Sequence, residues 1–370
     1  MKNRPCFVSS LFAVFAFVAA SVSVRCADFN DIVRQTRQVE NPSPAANELI
    51  ARLEAEVSKI IKAGHLMPFR VQYGEGRARN LYAEPWIMMF TLARAYPYVA
   101  KETQSAITTY IRNETQLHPP WSKTALGPMG VYRQGDPKGV PELGLPPKYK
   151  PTGTMLYALW LYGHCSADWS DIKPQWQSLQ GIYAELAANP PTYELISAAI
   201  AMSRMAQIFS DAPVQQRFTD EAVKLMQTGT NFETFRRNAH VAYSGKPNWY
   251  RGSDGIAFAL FYLTPEVARY FNDQSELKRA MERYVEQAVA VWPLWWMAQA
   301  PVGDWGNFDE GSCAGPETRM MLFNYFAWVR QAPANELRLL VDVPDALIGD
   351  CYYMQNLVTV IEACGQATWR

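Results

Sequence analysis

The chain has 370 residues, 49% hydrophobic and 13% aromatic, and its 35 lysines and arginines balance its 35 aspartates and glutamates. Zero net charge leaves no basic field to hold a nucleic-acid backbone, so nucleic acid is excluded as an expected partner. The cysteines beyond residue 27, Cys165, Cys313, Cys351 and Cys364, form no CxxC pair and no Cys/His cluster at metal-ligand spacing, so neither a metal nor another cofactor is expected.

Lys2 and Arg4 precede an uncharged apolar run over residues 7–24, with small residues at Ala19, Ala20, Ser21 and Ser23. This pattern predicts a secretory signal peptide over residues 1–23, with cleavage after Ala20, Ser23 or Ala27. The run is near the ~18 residues a membrane span needs, but its serines and scarce leucines favour cleavage over retention as an anchor. Arg25 directly before Cys26 argues against lipid attachment there. No later stretch is long and uncharged enough to span a bilayer, so the expected location is secreted or periplasmic, without stable membrane insertion after cleavage. Residues 28–370 carry no linker or low-complexity tract and are predicted to form a single domain.

From there the chain reads as helix after helix. Amphipathic stretches are predicted at residues 46–62, 101–114, 170–187, 212–228 and 275–293. Val214, Phe218, Ala222 and Leu225 trace one apolar stripe, and Leu277, Met281, Tyr284, Ala288 and Trp292 trace another. Residues 82–98, 153–165, 193–209 and 320–329 are apolar nearly all round, which requires burial on every side. Ala212-Pro213 and Thr264-Pro265-Glu266 mark helix starts, and Asn189-Pro190-Pro191-Thr192 separates two helices. Buried and half-exposed helices therefore alternate. Short connections make consecutive helices antiparallel hairpins, and hairpins with one buried member each close into two concentric rings. The predicted fold is all-α, an (α/α) toroid of about five to six hairpins. An open solenoid would need a repeat of constant length, which is missing here.

Tyr157-Ala158-Leu159-Trp160-Leu161-Tyr162-Gly163, then Asp168-Trp169 and a helix through Trp176 and Tyr183, resembles one hairpin of the six-hairpin glycosidase superfamily. Residues 193–229 are similar in the same way. The resemblance implies a toroid acting on polysaccharides or oligosaccharides as a hydrolase or lyase. It carries no catalytic signature, so no catalytic residues transfer from it.

Three long connections concentrate groups suited to sugar binding, because a pyranose face lies against an aromatic ring while its hydroxyls need many hydrogen bonds. Residues 117–151 contain Trp121, Tyr132, Arg133, Gln134, Asp136 and Glu142. Residues 230–255 contain Arg236, Arg237, Asn238, His240, Tyr243, Asn248, Trp249, Tyr250, Arg251 and Asp254. Residues 300–316 contain Asp304, Trp305, Asn307, Asp309 and Glu310.

Glycosidic hydrolysis needs a protonated acid and an ionised carboxylate flanking the bond. The candidates are Asp304, Asp309 and Glu310, faced by Asp254 or Asp136. Elimination from a uronic acid instead needs a base such as His240 or Tyr250 and a group to neutralise the carboxyl, such as Asn238 or Arg251. Tyr132, Arg133, Asn238, Tyr243, Trp249, Arg251 and Trp305 are the candidate substrate contacts. The expected partner is a glycan, with a glycoside hydrolase ranked ahead of a lyase and of a non-catalytic binding or interaction protein. Glu84 and Arg94 in an apolar helix, and Arg319 at the start of another, read most simply as structural ion pairs or exposed helix ends.

Overall fold

The computed structural model describes residues 37–38, 44–63, 86–117, 119, 121, 153–191, 193–229, 327, 332–342, 351–364 and 368–369. Their regular structure is helical apart from one two-residue antiparallel pair, in which β1 (Arg37–Gln38) faces β2 (Thr368–Trp369). The helices are α1 (Pro44–Ala63), α2 (Trp86–Ala95), α3 (Lys101–Leu117), α4 (Gly153–Ser166), α5 (Trp176–Ala187), α6 (Tyr193–Ile208), α7 (Ala212–Gly229), α8 (Ala334–Val341) and α9 (Cys351–Cys364). Short 3-10 turns at Tyr96–Tyr98 and Lys173–Gln175 lead into α3 and α5.

The apolar sequences became the interior. Every residue of α4 from Gly153 to Gly163 is buried, and α6 is buried from Leu195 to Ala206. Helix α9 is buried from Tyr353 to Glu362. The amphipathic sequences became the covering helices. In α1 the residues Leu49, Leu53, Val57 and Ile60 are buried at helical spacing, and in α7 so are Phe218, Ala222 and Leu225.

Four of the buried helices stand in a row, with α9 against α2, α2 against α4, and α4 against α6. They run in the same direction: from α2 to α4 the contacts advance from Phe90–Tyr157 to Arg94 near Cys165. From α2 to α9 the contacts advance from Thr91–Gln355 to Arg94–Glu362. From α4 to α6 they advance from Gly153–Glu194 to Trp160–Arg204. The covering helix α7 returns antiparallel to α6, with Ser203 2.6 Å from Thr219. Helix α5 lies alongside α7 through Gln180–Arg217 and Tyr183–Phe218. Helix α3 instead bridges from α1, where Thr103 donates to Glu54, to the turn after α4, where Arg112 meets Asp168.

The turns after α4 and α6 are set locally. Ala167 and Ser210 take the left-handed conformation, at φ 56° and 62°. After α6 the Asp211 N–H donates back to the Ala206 carbonyl and the Ser210 N–H to that of Gln207, the double hydrogen bond that closes a helix on a left-handed residue. Asp211 then begins the next helix, accepting from the Val214 N–H with one carboxylate oxygen and from the Trp176 indole with the other. One residue thus ends α6, starts α7 and ties α5 to both. Edge-on ring contacts of Phe209 with Trp169 and Trp176, and of Phe218 with Tyr183, fill the space between these three helices.

The first and last described segments of the chain meet. Helix α9 packs on α1 and α2, and α8 on α9. Arg52 donates to the Val341 carbonyl and the Asp342 carboxylate, and Arg338 pairs with Glu48.

Candidate functional site

Because the row is parallel, its two ends differ. At the N-terminal end, residues 64–85 join the end of α1 to the start of α2, and residues 118–152 lead into α4. The chain that follows α7 also departs there, since α7 runs antiparallel to α6. These are the long connections. At the opposite end α2, α4 and α6 pass into their successors through the short segments 96–100, 167–175 and 209–211.

The candidate catalytic residues Asp304, Asp309, Glu310, Asp254, His240 and Tyr250 lie outside the described residues. So do the candidate substrate contacts Tyr132, Arg133, Asn238, Tyr243, Trp249, Arg251 and Trp305, together with Asp136, Glu84 and Arg319. The connections at residues 117–151 and 230–255 adjoin the described helix termini Gly153 and Gly229, at the N-terminal end of the row, whereas residues 300–316, with Asp304, Trp305, Asp309 and Glu310, adjoin no described helix terminus.

Three of the described ionisable clusters sit toward the other end, whereas that of Arg52, Asp342 and Tyr353 includes the first turn of α9. Arg94, in the last turn of α2, donates to Glu362 at 3.0 Å and to Gln355 at 3.0 Å, both on α9. Gln355 in turn donates to Thr91 at 3.0 Å, and Tyr98 donates to Glu362 at 3.3 Å. All five side chains are buried. Burial opposes the Arg94 charge, but the Glu362 carboxylate outweighs it and holds the guanidinium protonated more firmly than in water. Each link has a fixed donor and acceptor, so the chain sets the register of α2 against α9. This is the structural ion pair expected of Arg94.

A second cluster joins α4 to α6. The Arg204 guanidinium lies 4.1 Å from the centroid of the Trp160 ring, and the His164 ring stacks on Trp160 at 5.3 Å and 19°. Desolvation first, and then the charge of Arg204, lower the His164 pKa from its ordinary value. Next in the chain, burial pushes the Cys165 thiol up to about 12. Cys165 and Cys364 are free thiols.

The third cluster closes the turn after α4. Asp168 accepts from Arg112 at 2.7 Å, from the Ser170 hydroxyl at 2.7 Å and from Tyr162 at 3.3 Å. Desolvation pushes its pKa up, but the Ser170 and Arg112 contacts prevail and hold it below the usual carboxylate value. Burial, then Asp168, raises the Tyr162 phenol.

Sequence reasoning singled out neither Glu362 nor Gln355. The signal was present: Gln355, Thr359 and Glu362 are polar residues at helical spacing in an otherwise apolar run. Arg204 shows the same signature in α6. Among the described residues no group of His, Cys, Asp and Glu is placed to hold a metal ion, and no helix is long and apolar enough to cross a membrane.

No family model matches this chain, and neither does any curated protein or solved structure. The resemblance to six-hairpin glycosidases therefore stands on the rhythm of its helices, and what it implies is a matter of proposal.

Proposed function

We propose that the chain is an exported carbohydrate-active enzyme, built as a closed (α/α) toroid with its glycan cleft at the N-terminal end of the inner helices. The observation that carries this reading is the parallel row of buried helices α9, α2, α4 and α6, whose last member in the chain stands beside its first. A parallel inner row with antiparallel covering helices is the geometry of hairpins arranged around an axis. Chain ends that meet are what closure of such an arrangement requires. Residues 118–152 lead into α4 and the chain leaves α7 at the same end of the row, so the rings, carboxylates and arginines of residues 117–151 and 230–255 suit a common mouth, to which this reading adds residues 300–316.

In this reading Asp304, Asp309 and Glu310 supply the acid and the carboxylate of glycoside hydrolysis, with Asp254 opposite, and Tyr132, Trp249 and Trp305 stack against sugar rings. The buried Arg94–Glu362 pair takes no part in the chemistry and holds the row in register. A signal peptide over residues 1–23 delivers the enzyme to extracytoplasmic glycans.

The test is incubation of the mature protein with a panel of neutral and uronic glycans. New reducing ends without unsaturated product are expected. At least one of Asp304→Asn, Asp309→Asn and Glu310→Gln should lower the rate by on the order of a hundredfold to ten-thousandfold. Unsaturated uronate as the product would instead assign elimination, with His240 and Tyr250 as base and acid. Binding without turnover would leave a glycan-binding protein, and neither binding nor turnover would overturn the reading.

A further inference from the structure

Helices α1, α8 and α9 come from opposite ends of the chain and nevertheless form one packed group. Among the described helices α1 packs chiefly on α9, and α8 packs on α9. Arg52 of α1 reaches Val341 and Asp342 at the end of α8 and the Tyr353 hydroxyl of α9, and Arg338 of α8 reaches Glu48 of α1. The β1–β2 pair joins the same two ends of the chain. Helix α2 behaves differently, since its most extensive described contact is with α4, which continues to α6 and α7. Between the two groups the described polar contacts include the chain Thr91–Gln355–Arg94–Glu362–Tyr98, and α1 also accepts from Thr103 of α3 and from the Ala100 N–H through Glu54.

We propose that α1, α8 and α9 are a single cooperative unit that leaves α2 and α3 and unfolds as one while α2, α4, α6 and α7 stay folded, with the Arg94–Glu362 pair as its latch. Three physical points support this. An isolated helix as short as α9 or α8 is unstable in water, so either must open together with its packing partners. Contacts within residues 153–229 close short loops, whereas those of α1 with α8 and α9 close loops of about 290 residues and carry the larger entropic cost. Undocking also separates a buried ion pair into water, where both charges are solvated, so the opened form is not left with a stranded charge. The seam is therefore where the ring of helices can open. The inference rests on packing and does not depend on the glycan reading.

The experiment is native-state hydrogen exchange on the full-length mature protein, read by mass spectrometry in low urea. Peptides from α1, α8 and α9 are expected to exchange through one common opening, with the same urea dependence. Peptides from α2, α4 and α6 should remain protected until global unfolding. In Glu362→Gln, exchange of the first three should rise roughly ten- to a hundredfold with α4 and α6 unchanged. Equal exchange in all helices, or α1 opening independently of α9, would overturn the proposal. The wild-type experiment decides by itself if the variant does not fold.

Discussion

Arg94 and Glu362 are 268 residues apart in the chain and 3.0 Å apart in space, with both side chains almost wholly buried. Neither charge is tolerable there without the other, because removing one partner leaves an uncompensated charge in a poorly solvated place. Glu362→Ala is therefore expected to cost about 3–5 kcal/mol of stability, and Arg94→Met with Glu362→Met together on the order of 1 kcal/mol. Urea unfolding at neutral pH measures both. A double variant as unstable as the sum of its single variants would show that the two charges do not depend on each other.

His164 gives the acid dependence of folding a definite sign. Its pKa is lowered from 6.5 in the folded protein, by desolvation and then by Arg204. Below that ordinary value the unfolded chain binds a proton that the folded one resists. Its contribution is neutral above about pH 6.5, and stability declines as the pH falls below it, levelling off once the folded-state pKa is passed. His164→Gln should make the melting temperature fall less steeply over that window. An unchanged slope would mean that neither desolvation nor Arg204 opposes the charged ring.

Three glycines separate crowding from helix propensity. A β-carbon on Gly153 would run into the Glu194 carbonyl, and one on Gly163 would run into the Trp169 ring, while one on Gly181 would meet nothing. Gly153→Ala and Gly163→Ala should each cost about 1–3 kcal/mol by overpacking. Gly181→Ala, in the middle of α5, should add roughly 0.5–1 kcal/mol of stability. Thermal melts of the three variants check this, and stabilisation at Gly153 would contradict the close approach of α4 to α6.

Cys165 carries a thiol whose pKa burial raises to about 12. It should resist a thiol-specific reagent at mildly alkaline pH in the folded protein and react once the protein is unfolded. Peptide mapping after a timed reaction locates the label. Rapid labelling of Cys165 in the native state would place its sulfur in contact with water.

Much of the described helix map was legible from periodicity. The stretch predicted at 46–62 is α1 at Pro44–Ala63, that at 212–228 is α7 at Ala212–Gly229, and the apolar run 153–165 is α4 at Gly153–Ser166. The stretch 170–187 was read as one element, whereas the structure begins it with turns and the 3-10 segment Lys173–Gln175, where Pro174 lacks the N–H a regular helix would use. Helices α8 and α9 went unpredicted. Helix α8 spans only eight residues, and α9 interrupts its apolar run with Gln355, Asn356, Thr359 and Glu362. For the candidate site, the sequence marked three connections; those at residues 117–151 and 230–255 adjoin the start of α4 and the end of α7, at one end of the row, and residues 300–316 lie outside the described residues.

By itself the sequence determined that the described residues are helical and that α2, α4 and α6 must be buried, because periodicity and composition act over a few turns at a time. Only the tertiary structure decided that α9 stands beside α2, that Glu362 answers Arg94, and that the inner helices run parallel. Those pairings join segments hundreds of residues apart. They depend on which apolar faces fit one another once the loops between them have closed, and no local pattern carries that information.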